Sequence, residues 1–218
     1  MDNLTQAFKD HYTAAFRRHG ATAKGVDWND EGEVDFRYGK MIAVLAKDFA
    51  NLPETPTLLD AGCGWGGLLR YLRSRDVAVE YTGIDIVPEM IESASKAFPG
   101  ARFVCGDILG LDERAAYDFV VCSGILTLKL TAAIPEMERY ARAFIRKMFG
   151  LCRHGIAFNM MSTRVNFMAD NLYYQSPSEI LTWMLSEVTP RVRVDHGYSS
   201  LGSGKGRLYE FTIYAFKG

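Results

Sequence analysis

At 218 residues, 48% of them apolar, the chain suits one α/β domain with a large core, or a core domain plus a modest cap. Its 25 basic and 26 acidic residues leave a formal charge of −1 with no basic stripe or tail, which argues against nucleic acid as a partner. The longest apolar runs fall short of a membrane span, and the polar start Met1-Asp2-Asn3 is unlike a signal peptide.

Four scattered cysteines (Cys63, Cys105, Cys122, Cys152) and four dispersed histidines lack metal-ligand spacing. The expectation is a cytoplasmic protein with reduced thiols, no metal and no membrane association.

From the N-terminus, Leu4, Phe8, Tyr12 and Phe16 recur every fourth residue, the mark of an amphipathic helix that stops near Gly20. Residues 20–32 carry Gly, Asp and Asn and read as a loop in which Trp28 is conspicuous. A second helix follows from about Gly32 to Leu52, with Met41, Val44, Leu45 and Phe49 on one face and Arg37 near its start.

The run Leu58-Leu59-Asp60-Ala61-Gly62-Cys63-Gly64-Trp65-Gly66-Gly67 then ends a strand in a carboxylate and breaks into glycines before a helix returns at Leu68, Leu69, Tyr71 and Leu72. This is the opening of a βαβ unit, with the glycine turn letting a ligand approach the backbone. Gly62, Gly64 and Gly67 satisfy G-x-G-x-x-G, so a dinucleotide is one candidate. Asp60 favours another. A carboxylate there would repel a pyrophosphate, but it attracts the ammonium of an aminoacyl nucleoside such as S-adenosylmethionine.

Two more strands agree. Tyr81–Asp85 ends in a carboxylate that can accept from both ribose hydroxyls, and Pro88 opens the next helix. Ile86 and Met90 are counted with Asp85 as cofactor-binding. Phe103–Asp107 ends in Gly-Asp, where Asp107 can accept from an adenine amino group and the Ile108 amide can donate to a ring nitrogen. All three acids fall at carboxyl ends of successive strands, where open α/β sheets bind ligands. Cys63, Gly64 and, on the fourth strand, Ser123 complete the expected cofactor set.

These motifs as a set resemble class I S-adenosylmethionine-dependent methyltransferases, from about Arg37 to the C-terminus. The stretch His19–Asn29 is also similar to a bacterial small-molecule branch. The resemblance implies a Rossmann-like doubly wound sheet of seven strands, order 3-2-1-4-5-7-6, with the last strand antiparallel. It implies one domain over 1–218, divided into an N-terminal lid helix and loop (1–35) and a core (36–218). It also implies S-adenosylmethionine as methyl donor and S-adenosylhomocysteine as product. In that layout Arg37 holds the methionine carboxylate, while the N-terminal helix closes the cleft with Tyr12 near the substrate. Trp28 is taken as a second substrate contact.

Downstream, Tyr117–Gly124 reads as the fourth strand, followed by Ile125, Leu126 and Leu128 with no evident acid or base. The Asn/Asp-Pro-Pro-Tyr/Phe motif of amine-directed enzymes is absent, so nucleic-acid and protein-glutamine methylation lose support. A helix spans about Pro135 to Cys152, and the fifth strand, Gly155–Ser162, carries Asn159, an acceptor-orienting candidate. A long loop, Thr163–Gln175, precedes the helix Ser176–Val188 and is expected to be functional. In it Tyr173 is a substrate candidate and Tyr174 a catalytic one, since an aromatic wall favours a sulfonium.

The last strands are Arg191–Tyr198 and Leu208–Lys217, joined by Leu201-Gly202-Ser203-Gly204-Lys205-Gly206, a hairpin rather than a phosphate loop. His196 is the candidate general base. The favoured function is methyl transfer to a small-molecule acceptor by in-line displacement. The alternatives are cyclisation or cleavage of the same cofactor, with release of methylthioadenosine, and a non-catalytic binding protein. A homodimer is compatible with the sequence.

Overall fold

The computed structural model describes residues 2–28, 30–45, 52–198 and 209–218. Among these, eight strands form one sheet: β1 Thr57–Ala61, β2 Glu80–Asp85, β3 Arg102–Cys105, β4 Tyr117–Cys122, β5 Cys152–Ser162, β6 Tyr174–Gln175, β7 Val192–Asp195 and β8 Glu210–Phe216. The path is β3-β2-β1-β4-β5-β8-β7. β1 to β5 run parallel, and β8 lies antiparallel between β5 and β7. With the two last strands counted sixth and seventh, this is the expected order. The additional strand, β6, is two residues at the end of the long loop, paired in parallel with Met161 and Ser162 at the tip of β5.

Among the described residues six α-helices accompany the sheet: α1 Asp2–His19, α2 Glu31–Ile42, α3 Gly67–Ser74, α4 Pro88–Ala97, α5 Ile134–Leu151 and α6 Pro177–Glu187. Strand side chains alternate between faces, which splits the core in two. Leu59, Val120, Ile156 and Ile213 pack with α1, α5 and α6. Leu58, Phe119, Ala157 and Tyr214 pack with α2, α3 and Ile91 of α4.

The local signals set the helix ends. Asp30 caps α2 by accepting from the Glu33 amide at 2.9 Å, Ser176 caps α6, and proline occupies the first turns of α4, α5 and α6. Three boundaries differ from the sequence reading. α2 ends at Ile42 and passes into a single 3-10 turn, Ala43–Leu45, and residues 46–51 lie outside the described set. The division drawn after residue 35 falls inside α2, because the cap at Asp30 starts that helix earlier. β5 begins at Cys152, directly from α5 with no intervening loop. The glycine-rich hairpin Leu201–Gly206 lies outside the described residues.

Candidate active site

Strand ends β1, β2 and β3 bring Asp60, Asp85 and Asp107 to one cavity. The turn after β1 is shaped for it. Gly62 sits at φ +80°, and a Cβ there would lie 2.2 Å from the Ile125 side chain, so only glycine fits between β1 and the turn after β4. Asp85 braces the same turn. One of its oxygens accepts from the Gly64 amide and the other from the Val87 amide, both at 2.9 Å. Asp60 is buried and accepts from the Tyr81 hydroxyl at 2.7 Å. Asp107 accepts from the Leu109 amide at 2.9 Å.

Burial dominates the electrostatics. It pushes the Asp60 carboxyl up to about 7, against the Tyr81 hydrogen bond, with the nearby Asp85 adding to the rise. Burial raises Asp85 as well, while its backbone donors oppose the shift. Both carboxylates therefore gain from an approaching cation. No Lys, Arg or His is among the described residues lining the cavity. Ser123 Oγ, buried at the end of β4, has no hydrogen-bond partner among the described residues and lines the same space. Three carboxylates, an unpaired hydroxyl and no cation suit a nucleoside carrying an ammonium and a sulfonium, and they do not suit a pyrophosphate. Cys63, Gly64, Ile86, Met90 and Ile108 line it too. Burial lifts the Cys63 thiol well above its ordinary value, so it stays protonated and inert.

Helix α1 covers this cleft, with Phe8 and Tyr12 among its walls. It is tied down at Thr5 to Asp107 (3.4 Å), at Arg17 to Glu89 of α4 (3.1 Å) and through His11 to Asp27 in the following loop. Burial and the carboxylates of Asp27 and Asp85 raise the Tyr12 hydroxyl, which therefore keeps its proton.

A second cavity shares Tyr12, Val26, Trp28 and Gly124 with the first. Behind them lie Glu33, Arg37, Asn159 and Glu210. Arg37 Nε donates to Glu210 at 2.9 Å, its Nη2 pairs with the same carboxylate, and Nη1 reaches Glu33 at 3.4 Å. Asn159 links this group to the first cavity. It accepts from the Gly124 amide at 2.9 Å and donates to Glu210 at 3.0 Å. The Arg37 guanidinium lies 5.0 Å from the centre of the Trp28 ring.

Several expected roles need correction. Arg37 does not line the first cavity; it is buried in the second, one helical turn from Glu33 and held by Glu210 at the head of β8. His196 lines neither cavity. It lies in a separate surface groove with its Nε2 2.8 Å from Ser162 Oγ, because β7 is the sheet edge farthest along the path from β1. Tyr173 is 2% exposed, packed in the core, and donates to Gln175 at 2.8 Å. Tyr174 accepts from the Ala169 amide at 3.0 Å, so it closes its own loop. The pairing of β6 with β5 fixes Tyr174, and the Tyr173 amide donates to the Thr127 carbonyl at 2.8 Å, so both tyrosines serve structure.

Glu33 and Glu210 were not singled out from the sequence, although two signals were present. Glu33 and Arg37 have the i, i+4 spacing of a helical ion pair, and Glu210 is a lone acid heading an apolar strand. Phe8, Val26 and Trp65 also joined the cleft only through packing.

Residues 58–147 match the methyltransferase domain family. The chain is 32% identical over 172 residues to the methyltransferase-family protein Rv1506c of Mycobacterium tuberculosis, covering 77% of this chain and 96% of that protein. A shorter stretch, 46% of this chain and 40% of the relative, is 33% identical to trans-aconitate 2-methyltransferase of Enterobacter. Among solved structures, the Burkholderia thailandensis 1,6-didemethyltoxoflavin-N1-methyltransferase, with its substrate and S-adenosylhomocysteine bound, is similar in fold. The TM-score is 0.60 at 19% identity, over 96% of this chain and 90% of that one. A Leishmania major S-adenosylmethionine-dependent methyltransferase is likewise similar in fold, with a TM-score of 0.63 at 16% identity over 96% and 82% of the two chains.

Proposed function

The chain belongs to the class I S-adenosylmethionine-dependent methyltransferases, and on that premise we propose that it methylates a small-molecule acceptor by in-line displacement. The cleft at the ends of β1 to β3 is the donor site, and the cavity behind Gly124 is the acceptor site. The observation that carries this reading is the wall the two cavities share, formed by Tyr12, Val26, Trp28 and Gly124. A chamber roofed by α1 and the loop after it favours a compact acceptor over a polymer. The near-balanced charge agrees with that, as do the small acceptors named for the Burkholderia and Enterobacter relatives.

The bound donor supplies an activated methyl group whose leaving group is a neutral thioether. The protein's part is alignment and exclusion of water. Asp85 and Asp107 orient the nucleoside, Asp60 faces its ammonium, and Phe8 and Tyr12 close the cleft. Asn159 fixes the Gly124 backbone at the point where the acceptor enters. Holding two reactants in line is worth on the order of 7–11 kcal/mol. No histidine lines either cavity among the described residues, which fits an enzyme working chiefly by positioning. The room behind Gly124 also weighs against cyclisation of the cofactor, which needs no acceptor site. A reducing, cytoplasmic setting suits the four free cysteines, and no helix among the described residues is long and apolar enough to cross a membrane.

Calorimetry with S-adenosylhomocysteine, read alongside Trp28 and Trp65 fluorescence, tests the donor site without turnover. Asp85→Ala is expected to weaken binding by about 1.5–3 kcal/mol, the value of a hydrogen bond to a charged group. Unchanged affinity would remove Asp85 from the site. Methylthioadenosine accumulating without an acceptor would overturn methyl transfer in favour of cyclisation.

A further inference from the structure

We propose that the acceptor is an uncharged molecule offering a lone pair, on a carbonyl oxygen or a ring nitrogen, to the Tyr12 hydroxyl and the Trp28 indole N–H. The inference rests on the reading of the two cavities as donor and acceptor sites. Most polar side chains of the chamber are already used. Its charged groups are paired with opposite charges: Arg37 with Glu210 and Glu33, and Asp27 with His11 of α1. The neutral ones are engaged as well. Asn159 joins the Gly124 amide to Glu210, and the Thr127 hydroxyl donates to the Gly124 carbonyl. Val26, Leu128, Met161 and Leu172 add apolar surface.

Two groups are left over, and both stand in the wall shared with the donor cleft. Tyr12 meets the His11 ring edge-on, and Trp28 lies against Tyr38 and the Arg37 guanidinium. These ring contacts leave the Tyr12 hydroxyl and Trp28 Nε1 without a hydrogen-bond partner among the described residues. Trp28 Nε1 lies 3.3 Å from where a Cβ on Gly124 would sit, so the indole N–H is held at the junction of the cavities. An indole N–H can only donate. The Tyr12 hydroxyl keeps its proton, because burial and the carboxylates of Asp27 and Asp85 disfavour the phenolate. The shared wall therefore presents two neutral donors to whatever enters.

Charge on the guest works against it. A carboxylate reaches Arg37 only by displacing Glu210, and an ammonium finds each acid of the chamber already held by a partner. Either ion gives up its water with no counter-ion in return. A carbonyl oxygen or ring nitrogen loses less water and recovers a hydrogen bond that the wall otherwise lacks. The lone pair then faces the shared wall, and the apolar remainder rests on Leu128, Met161 and Leu172.

Four probes of similar size separate these cases, each titrated calorimetrically into protein saturated with S-adenosylhomocysteine. They are acetophenone, α-methylstyrene (a C=CH2 group in place of C=O), benzoate and benzylamine. Acetophenone is expected to bind roughly tenfold or more tighter than benzoate or benzylamine, since an unpaired ion is costly to desolvate. Tyr12→Phe keeps the ring and removes the hydroxyl. It is expected to lower the affinity ratio of acetophenone to α-methylstyrene by about three- to tenfold, the worth of one hydrogen bond, and Trp28→Phe by a similar factor. A ratio unchanged in either variant would overturn the inference. So would either ion binding as tightly as acetophenone, or no acetophenone binding to the loaded protein. The wild-type comparison of the probes decides even where a variant folds poorly. Failure of S-adenosylhomocysteine itself to bind would instead overturn the donor-site reading.

Discussion

The proposed donor cleft takes its acids from three consecutive strand ends, Asp60, Asp85 and Asp107, whereas the proposed acceptor chamber joins Arg37 of α2 to Glu210 of β8 across 173 positions. The first region hangs on backbone turns. Asp85 and Asp107 accept from amides two residues ahead, at Val87 and Leu109, and Asp85 also from the Gly64 turn, while Asp60 accepts from the Tyr81 hydroxyl. The second hangs on side chains, Arg37 on Glu210 and Glu33 and Asn159 on Glu210, and meets the backbone where Asn159 accepts from the Gly124 amide. The difference is one of tolerance. A site built from strand tips survives repacking elsewhere, whereas a site built from a buried ion network fails as a unit.

Removing Arg37 should separate the two most sharply. Arg37→Ala removes the cation beside two buried carboxylates, Glu33 and Glu210, and loss of one partner from such a network costs about 3–5 kcal/mol. Chemical denaturation should register that loss. The strand-tip turns should keep their S-adenosylhomocysteine affinity under conditions where the variant is folded. A variant as stable as wild type would mean that the chamber is open to water and its charges screened.

A smaller effect belongs to the donor cleft. With Asp60 raised to about 7 by burial, the free protein holds that proton at mildly acid pH and must release it when a cation settles against the carboxylate. S-adenosylhomocysteine affinity should therefore rise by up to about tenfold per pH unit below 7 and level off above it. Asp60→Asn should flatten the profile. The same group contributes stability to the free protein that is full below the ordinary carboxyl range and lost as pH rises through about 7. Calorimetry in buffers of different ionisation heat would detect the released proton, and a profile equally steep in Asp60→Asn would assign it elsewhere.

The smallest effect concerns the roof that both regions share. Arg17 is 71% exposed in its contact with Glu89, so Arg17→Ala should cost no more than about 1 kcal/mol. A larger loss in thermal unfolding would mean that α1 is held on the cleft by charge rather than by Leu4 and Phe8.

The sheet order and the gathering of Asp60, Asp85 and Asp107 at one cavity were legible from the chain because their determinants are local. An apolar run ending in Asp, a glycine turn and a helix at 3.6-residue spacing specify βαβ geometry within about thirty residues, and three such units in a row place their acids side by side. The roles expected of Arg37, His196, Tyr173 and Tyr174 did not survive because each depends on which strand lies next to which. β8 inserts between β5 and β7 and delivers Glu210 to Arg37, while His196 is carried out to the edge with β7. β6 adds to the tip of β5 and draws Tyr174 into structure, while Tyr173 is buried in the core.

The amino-acid sequence by itself determined the family architecture and the three acidic strand tips, since hydrogen bonding along the backbone and the handedness of βαβ units leave few alternatives. Only the tertiary structure decided what faces those tips across Gly124. Long-range antiparallel pairing brings Glu210 to Asn159 and Arg37, and buried charges find whatever partners the fold presents, at no fixed sequence spacing.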